Sequence, residues 1–126
     1  MPDRPAALNR DLLERVADDF DGAPDVVMGT MFRSPGLRVG DKIFAFLGRD
    51  GRLIVKLPRE RADAFVGAGT AEQVVMGERR MREWFAFPAQ DDRAATLALW
   101  RDVAREAHRY VDALRRRLER DEAEPF

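Results

Sequence analysis

The stretch KIFAFLGRDGRLIVKLP, residues 42–58, constrains the fold more than any other part of the chain. Two runs of β-favouring residues flank Asp50-Gly51, one of the strongest hairpin signals a sequence can carry. An antiparallel hairpin with one wet face alternates apolar and polar residues, and this one barely does. Both of its faces therefore need a cover. With a two-residue loop at Asp50-Gly51, Phe44, Phe46, Leu53, Val55 and Leu57 share one face, and Ile43, Ala45, Leu47, Ile54 and Lys56 the other. With a three-residue loop from Arg49 to Gly51, one face takes Ile43, Ala45, Leu47, Leu53, Val55 and Leu57, and the other takes Phe44, Phe46, Ile54 and Lys56. In either register one face is wholly apolar and suits a packed helix. The second is covered by neighbouring segments or by a partner, which makes Phe44, Phe46, Ile54 and Lys56 the candidate partner-binding residues.

The rest of the chain supplies helices for the first face. Leu8, Leu12, Leu13, Val16, Ala17 and Phe20 recur at helical spacing and predict a helix over about 7–20, stopped by Asp21-Gly22 and Pro24. VVMGTMF (26–32) and LRV (37–39) are expected to be strands, with RSPG (33–36) turning between them. Pro58 opens a short helix carrying Ala62, Phe65 and Val66, which Gly67 and Gly69 end. VVM (74–76) and MREWFAF (81–87) are strand-like around the polar GERR. From Asp91 a long helix begins, its seam formed by Leu97, Trp100, Ala104, Ala107, Val111, Leu114 and Leu118. Asp91 and Asp92 stand at its positive end and Arg115, Arg116, Arg117 and Arg120 at its negative end, as the helix dipole favours. The expectation is a single two-layer α+β domain over residues 1–120: an antiparallel sheet of about five strands with an N-terminal, a short middle and a long C-terminal helix. DEAEPF (121–126) is expected to fray.

Most catalytic chemistries lack their residues. With 126 residues and no cysteine, the chain fits one domain without disulfides or thiolate chemistry. Its one serine, Ser34, falls in the expected turn, and its one histidine, His108, falls mid-helix beside the seam, so no nucleophile-base pair is indicated. The acidic groups Asp18-Asp19-Asp21 and Asp91-Asp92 lie at a helix end and a helix start, where solvation and capping account for them. Gly67-Ala68-Gly69 follows a helix and lacks the Lys-Ser/Thr of a phosphate loop. Arg101, Arg105 and Arg109 share a helix face with Asp102, Glu106 and Asp112 at pairing distance. No enzyme activity, metal or cofactor is expected. No run of about 20 apolar residues occurs, so neither a membrane span nor a membrane partner is expected, and the chain is placed in the cytoplasm.

Charge is uneven along the chain. Residues 1–25 carry 3 basic and 7 acidic side chains, 26–82 carry 11 and 6, and 83–126 carry 8 and 10. Only the middle segment is basic, and within it GERRMREW (77–84) sets Arg79, Arg80 and Arg82 beside Trp84. Interleaved arginine and aromatic side chains meet phosphates and bases, which makes these four the candidate nucleic-acid-binding residues. An exposed turn beside a core tryptophan is the competing explanation.

MFRSPGLRVGDKIFAFLGRDGRLIVKLPRERADAF (31–65), followed by MREWFAF (81–87), resembles the small bacterial domains of the TfoX amino-terminal and MmcQ/YjbR-like group. The likeness spans roughly residues 7 to 115. It implies an α+β domain with helices on one side of an antiparallel sheet, similar to secretion-chaperone-like folds, and no catalytic motif to carry over. It further implies DNA association and a regulatory role; the chain has room for the amino-terminal domain of TfoX-type regulators and not for their carboxy-terminal one. The expected function is a non-catalytic binding or regulatory module with weak, non-specific affinity for DNA. The alternative is a chaperone-like module that binds a protein partner, or a second copy, through an apolar sheet face.

Overall fold

A computed structural model describes residues 5–31, 34–48, 50–76 and 79–123; the side chains of 5–8, 31, 76, 79–82 and 120–123 lie outside the description. The elements run α1 (Pro5–Asp18), β1 (Val26–Met31), β2 (Ser34–Val39), β3 (Lys42–Leu47), β4 (Leu53–Lys56), α2 (Arg59–Gly67), β5 (Glu72–Met76), β6 (Arg79–Phe87) and α3 (Arg93–Ala123). The strands form one antiparallel sheet in the order β1-β2-β3-β4-β6-β5. Helices α1 and α3 pack together on β2 and β3, α3 reaches β4, and α2 covers β5 and β6. All three lie on the same face, because Phe65 of α2 meets Phe87 ring to ring at 5.1 Å. Phe87 in turn pairs with Leu53, and Leu53 with Leu47, both buried in the same core.

The helices are placed by the seams and caps their sequences carry. Asp92 caps α3: its Oδ1 accepts the Ala95 N–H at 2.7 Å, while the buried Thr96 hydroxyl donates to the Asp92 carbonyl at 2.9 Å. Trp100, Val103, Ala104, Ala107 and Val111 then bury against Leu12, Leu13, Val16 and the sheet. The expected seam does not hold to its end, since Leu118 is 52% exposed. A helix of 31 residues is about 46 Å long and outruns the sheet beneath it.

The sheet differs from the sequence expectation at its turns. The hairpin closes through the three-residue loop: Gly48 N–H donates to the Arg52 carbonyl at 2.8 Å, and Gly51 adopts φ +87°. That puts Ala45, Leu47, Leu53 and Val55 beneath the helices and Phe46, Ile54 and Lys56 on the far face. Phe44 does not follow its alternation partner Phe46. The pairs Leu37↔Ala45 and Arg38↔Ile43 leave one extra residue in β3, a bulge at Phe44, which turns that ring into the core and puts Ile43 on the far face. Pro35 and Gly36, expected in a turn, lie inside β2; Phe32 and Arg33 lie outside the described residues. Gly36 serves the sheet, since a Cβ there would stand 2.9 Å from the Phe46 Cβ. β5 begins two residues earlier than VVM, β6 already includes Arg79 and Arg80, and α3 runs through Ala123. The described residues form six strands.

Candidate functional site

The far face of the sheet carries no described helix. Cross-strand partners share a face, so the register assigns its occupants. One row runs Gly29, Gly36, Phe46, Ile54, Ala86 and Glu72 from edge to edge. Beside it, Val27, Arg38 and Ile43 follow one another across β1 to β3, and Lys56 opposes Trp84 across β4 and β6. Ile54 and Ala86 are buried yet stand outside the hydrophobic core, which marks the sheet as the divide between them and the helices.

At the centre of this face three side chains converge from three strands. Phe46 and Trp84 meet edge to face, with centroids 5.6 Å apart and planes at 63°. The Lys56 ammonium lies 5.8 Å from the centroid of the same indole. All three are half-buried. Among the described residues neither Lys56 nor Arg38 is in an ion pair, whereas Arg52 at the hairpin end is matched to Asp50 at 2.6 Å and Glu72 at 3.5 Å.

Trp84 is aimed by an irregularity in β6. Between the pairs Gln73↔Phe85 and Val75↔Arg80, β6 holds three more residues than β5 does. Within this wide bulge Glu83 takes the left-handed conformation, φ +68°. That conformation costs a non-glycine residue on the order of 1–3 kcal/mol and needs support. It has two: the Glu83 carbonyl accepts the Leu57 N–H at 2.9 Å, and its carboxylate accepts the hydroxyl of Tyr110 from α3. Burial first, then the hydrogen bond and charge of Glu83, push the Tyr110 phenol up to about 12. Glu83 thus faces the helices and Trp84, its neighbour, faces away.

Toward β1 the face is hollowed. Gly29 and Gly36 oppose each other in the wall of a trough of about 410 Å³, which Thr30, Arg38, Asp41 and Ile43 also border. A Cβ at Gly29 would meet only the tip of Arg38, at 3.1 Å.

The helical layer is different in character. Asp19 takes Arg101 at 3.2 Å and Arg105 at 3.5 Å, tying the end of α1 to α3. Arg115 is held by Asp112, Asp25 and Glu119, Arg116 by Asp112, and Arg61 by Glu106. Burial works against the charge of Asp112, and the Arg115 hydrogen bond and Arg116 charge outweigh it, holding that carboxyl below its usual range. His108 sits between the rings of Phe20 and Phe44, at 5.2 and 5.3 Å, where burial pushes its imidazole below its ordinary value. Ser34 stands at the start of β2, on the far face. No three His, Cys, Asp or Glu side chains come together among the described residues, and no described helix is long and apolar enough to cross a membrane.

The two sequence-derived sets are therefore redistributed. Trp84, from the nucleic-acid set, joins Phe46, Ile54 and Lys56 of the partner set on one open face. Phe44 leaves it for the core, because of the bulge. Arg79, Arg80 and Arg82 belong to β6, and their side chains lie outside the described residues. Arg38, Ile43, Gly29 and Gly36 join the face; the alternation of Gly36 with Arg38 was the one signal for them. Comparison of the chain with protein-family models, with curated proteins and with solved structures finds no match.

Proposed function

We propose that the chain is a non-catalytic binding module, of the TfoX amino-terminal and MmcQ/YjbR-like kind and cytoplasmic, whose open sheet face takes DNA with weak, sequence-indifferent affinity. The observation that carries this reading is the cluster of Trp84, Phe46 and Lys56 on a sheet face without a described helix, flanked by Arg38, which has no ion pair among the described residues. Aromatic rings and cations side by side suit bases and phosphates together. The distribution of charge along the chain supports the same reading. The segment that builds the sheet holds the basic excess, and the helix-bearing ends of the chain hold the acidic one. Arg79, Arg80 and Arg82 on β6 are assigned as further phosphate contacts.

Fluorescence anisotropy with labelled DNA across a salt series tests this. Binding at about 50 mM salt should weaken as salt rises, and Arg38→Ala with Lys56→Ala should flatten the log-log slope by about two contacts' worth, near 0.7–0.9 each. Absence of any binding at that salt refutes the reading. The apolar row of Phe46, Ile54 and Ala86 on the same face favours a protein partner or second copy as the second reading. For it, sedimentation should report a concentration-dependent mass that Ile54→Glu abolishes.

A further inference from the structure

We propose that the open face selects single-stranded over duplex DNA, with one base against Trp84 and another in the Gly29–Gly36 trough; this rests on the DNA reading above. The shape of the face is the first reason. Six strands at about 4.8 Å spacing make a surface about 24 Å across, too broad to enter a major groove of about 12 Å. A duplex laid on it would offer phosphates only and leave Trp84 and Phe46 unused. Aromatic side chains reach bases only where the bases are unpaired and splayed.

The second reason is the spacing of the features. Trp84 on β6 lies three strand spacings, about 15 Å, from Gly36 on β2. Between them the surface is Phe46, Ile43 and Ile54, apolar enough to hold bases and free of described carboxylates. The cations follow the same path: Lys56 stands over the indole and Arg38 over the trough, where its guanidinium nears Gly29. Glu72 and Asp41 lie at the two rims, and Glu72 is answered by Arg52. A flexible strand crossing the sheet meets rings and cations in alternation, which a rigid duplex does not.

The third reason is the trough. Two glycines opposed on neighbouring strands weaken a sheet unless a neighbour or ligand approaches there. Gly36 is explained by the close approach of Phe46, and Gly29 has only the movable tip of Arg38 above it. Its backbone is not left-handed, so the fold makes no demand for glycine at this position. A volume of about 410 Å³ is within the range of small-ligand pockets and accommodates a base. Among the described residues the surface around Trp84, Phe46, Ile54 and Lys56 presents no hydroxyl or carboxylate to engage a 2′-hydroxyl, and Thr30 and Asp41 border only the trough, so the stacked nucleotide is assigned to DNA.

Gly29→Val separates this from a general DNA affinity. Valine suits a strand, narrows the trough at its Gly29 wall and displaces only the Arg38 tip, so the melting temperature should hold or rise. Anisotropy at about 50 mM salt with oligothymidylate of about twelve residues, its duplex with oligoadenylate and the matching oligouridylate supplies the comparison. The wild type should prefer the single strand over both by about tenfold or more, Trp84→Leu should weaken it by about tenfold, and Gly29→Val should weaken the single strand several-fold more than the duplex. Equal affinity for duplex or for oligouridylate, or wild-type binding by a folded Gly29→Val, overturns the proposal while the DNA reading stands. No binding to any of the three overturns both.

Discussion

Phe44 and Phe46 are two residues apart in one strand, and strict alternation would give their replacement by alanine similar consequences. The bulge predicts a large difference. Phe44 is fully buried against Phe20 and His108, with the helices above it. Its truncation leaves a cavity that rigid neighbours cannot fill, costing about 3–5 kcal/mol. Phe46 is half-buried on the far face, so its truncation forfeits roughly half of a 1.5–3 kcal/mol transfer term plus the edge contact with Trp84, and opens no enclosed void. About 1–3 kcal/mol is expected. For a chain of 126 residues the unfolding entropy is roughly 0.26 kcal/mol/K, so each kcal/mol moves the midpoint by about 4 °C. Phe44→Ala should therefore lower Tm by roughly 10–20 °C and Phe46→Ala by about 4–12 °C, measured by circular dichroism. Phe44→Leu provides a milder variant should the alanine form fail to fold. Equal losses, or a larger one at Phe46, would refute the placement of these rings.

Other consequences concern titration and surface pairing. Because burial holds the His108 imidazole below 6.5, the unfolded chain takes up this proton first as pH falls; stability should decline from 6.5 downward, fully so only below the native value, and His108→Leu should remove that part of a urea-midpoint profile. Tyr110 is the chain's one tyrosine, and its phenol at about 12 means that stability falls as pH rises from 10 toward 12. Ultraviolet absorbance near pH 11 should then show tyrosinate in unfolded and not in folded protein, and Tyr110→Phe should shift Trp84 emission through the loosened Glu83 bulge. The exposed Arg61–Glu106 pair is screened by solvent, so Arg61→Ala should leave the urea-unfolding midpoint nearly unmoved.

The order and type of the elements were legible because periodicity and turn residues act locally. The 3-4 spacing from Leu97 to Val111 announced α3, and Asp50-Gly51 announced the hairpin. What escaped depends on contacts far apart in sequence. A bulge is one surplus residue with no residue type of its own, so Phe44 and Ile43 exchanged faces unannounced. Pro35-Gly36 looks like a turn because the same glycine that permits one also permits the approach of Phe46. The left-handed Glu83 carries no local sign, since its support comes from Tyr110 in another layer. Trp84 was separated from Lys56 and Phe46 because only the pairing of β6 with β4, past β5, joins them. The expectation for Leu118 failed for a simpler reason: amphipathic spacing continues past the point where the sheet ends.

Backbone amide and indole chemical shifts of labelled protein, followed during titration with oligothymidylate, test most directly that the open sheet face is the binding surface. The account predicts changes concentrated at Arg38, Ile43, Phe46, Lys56 and the indole N–H of Trp84, with that of the buried Trp100 unmoved. Changes confined to α1 and α3, or none at all, would contradict it.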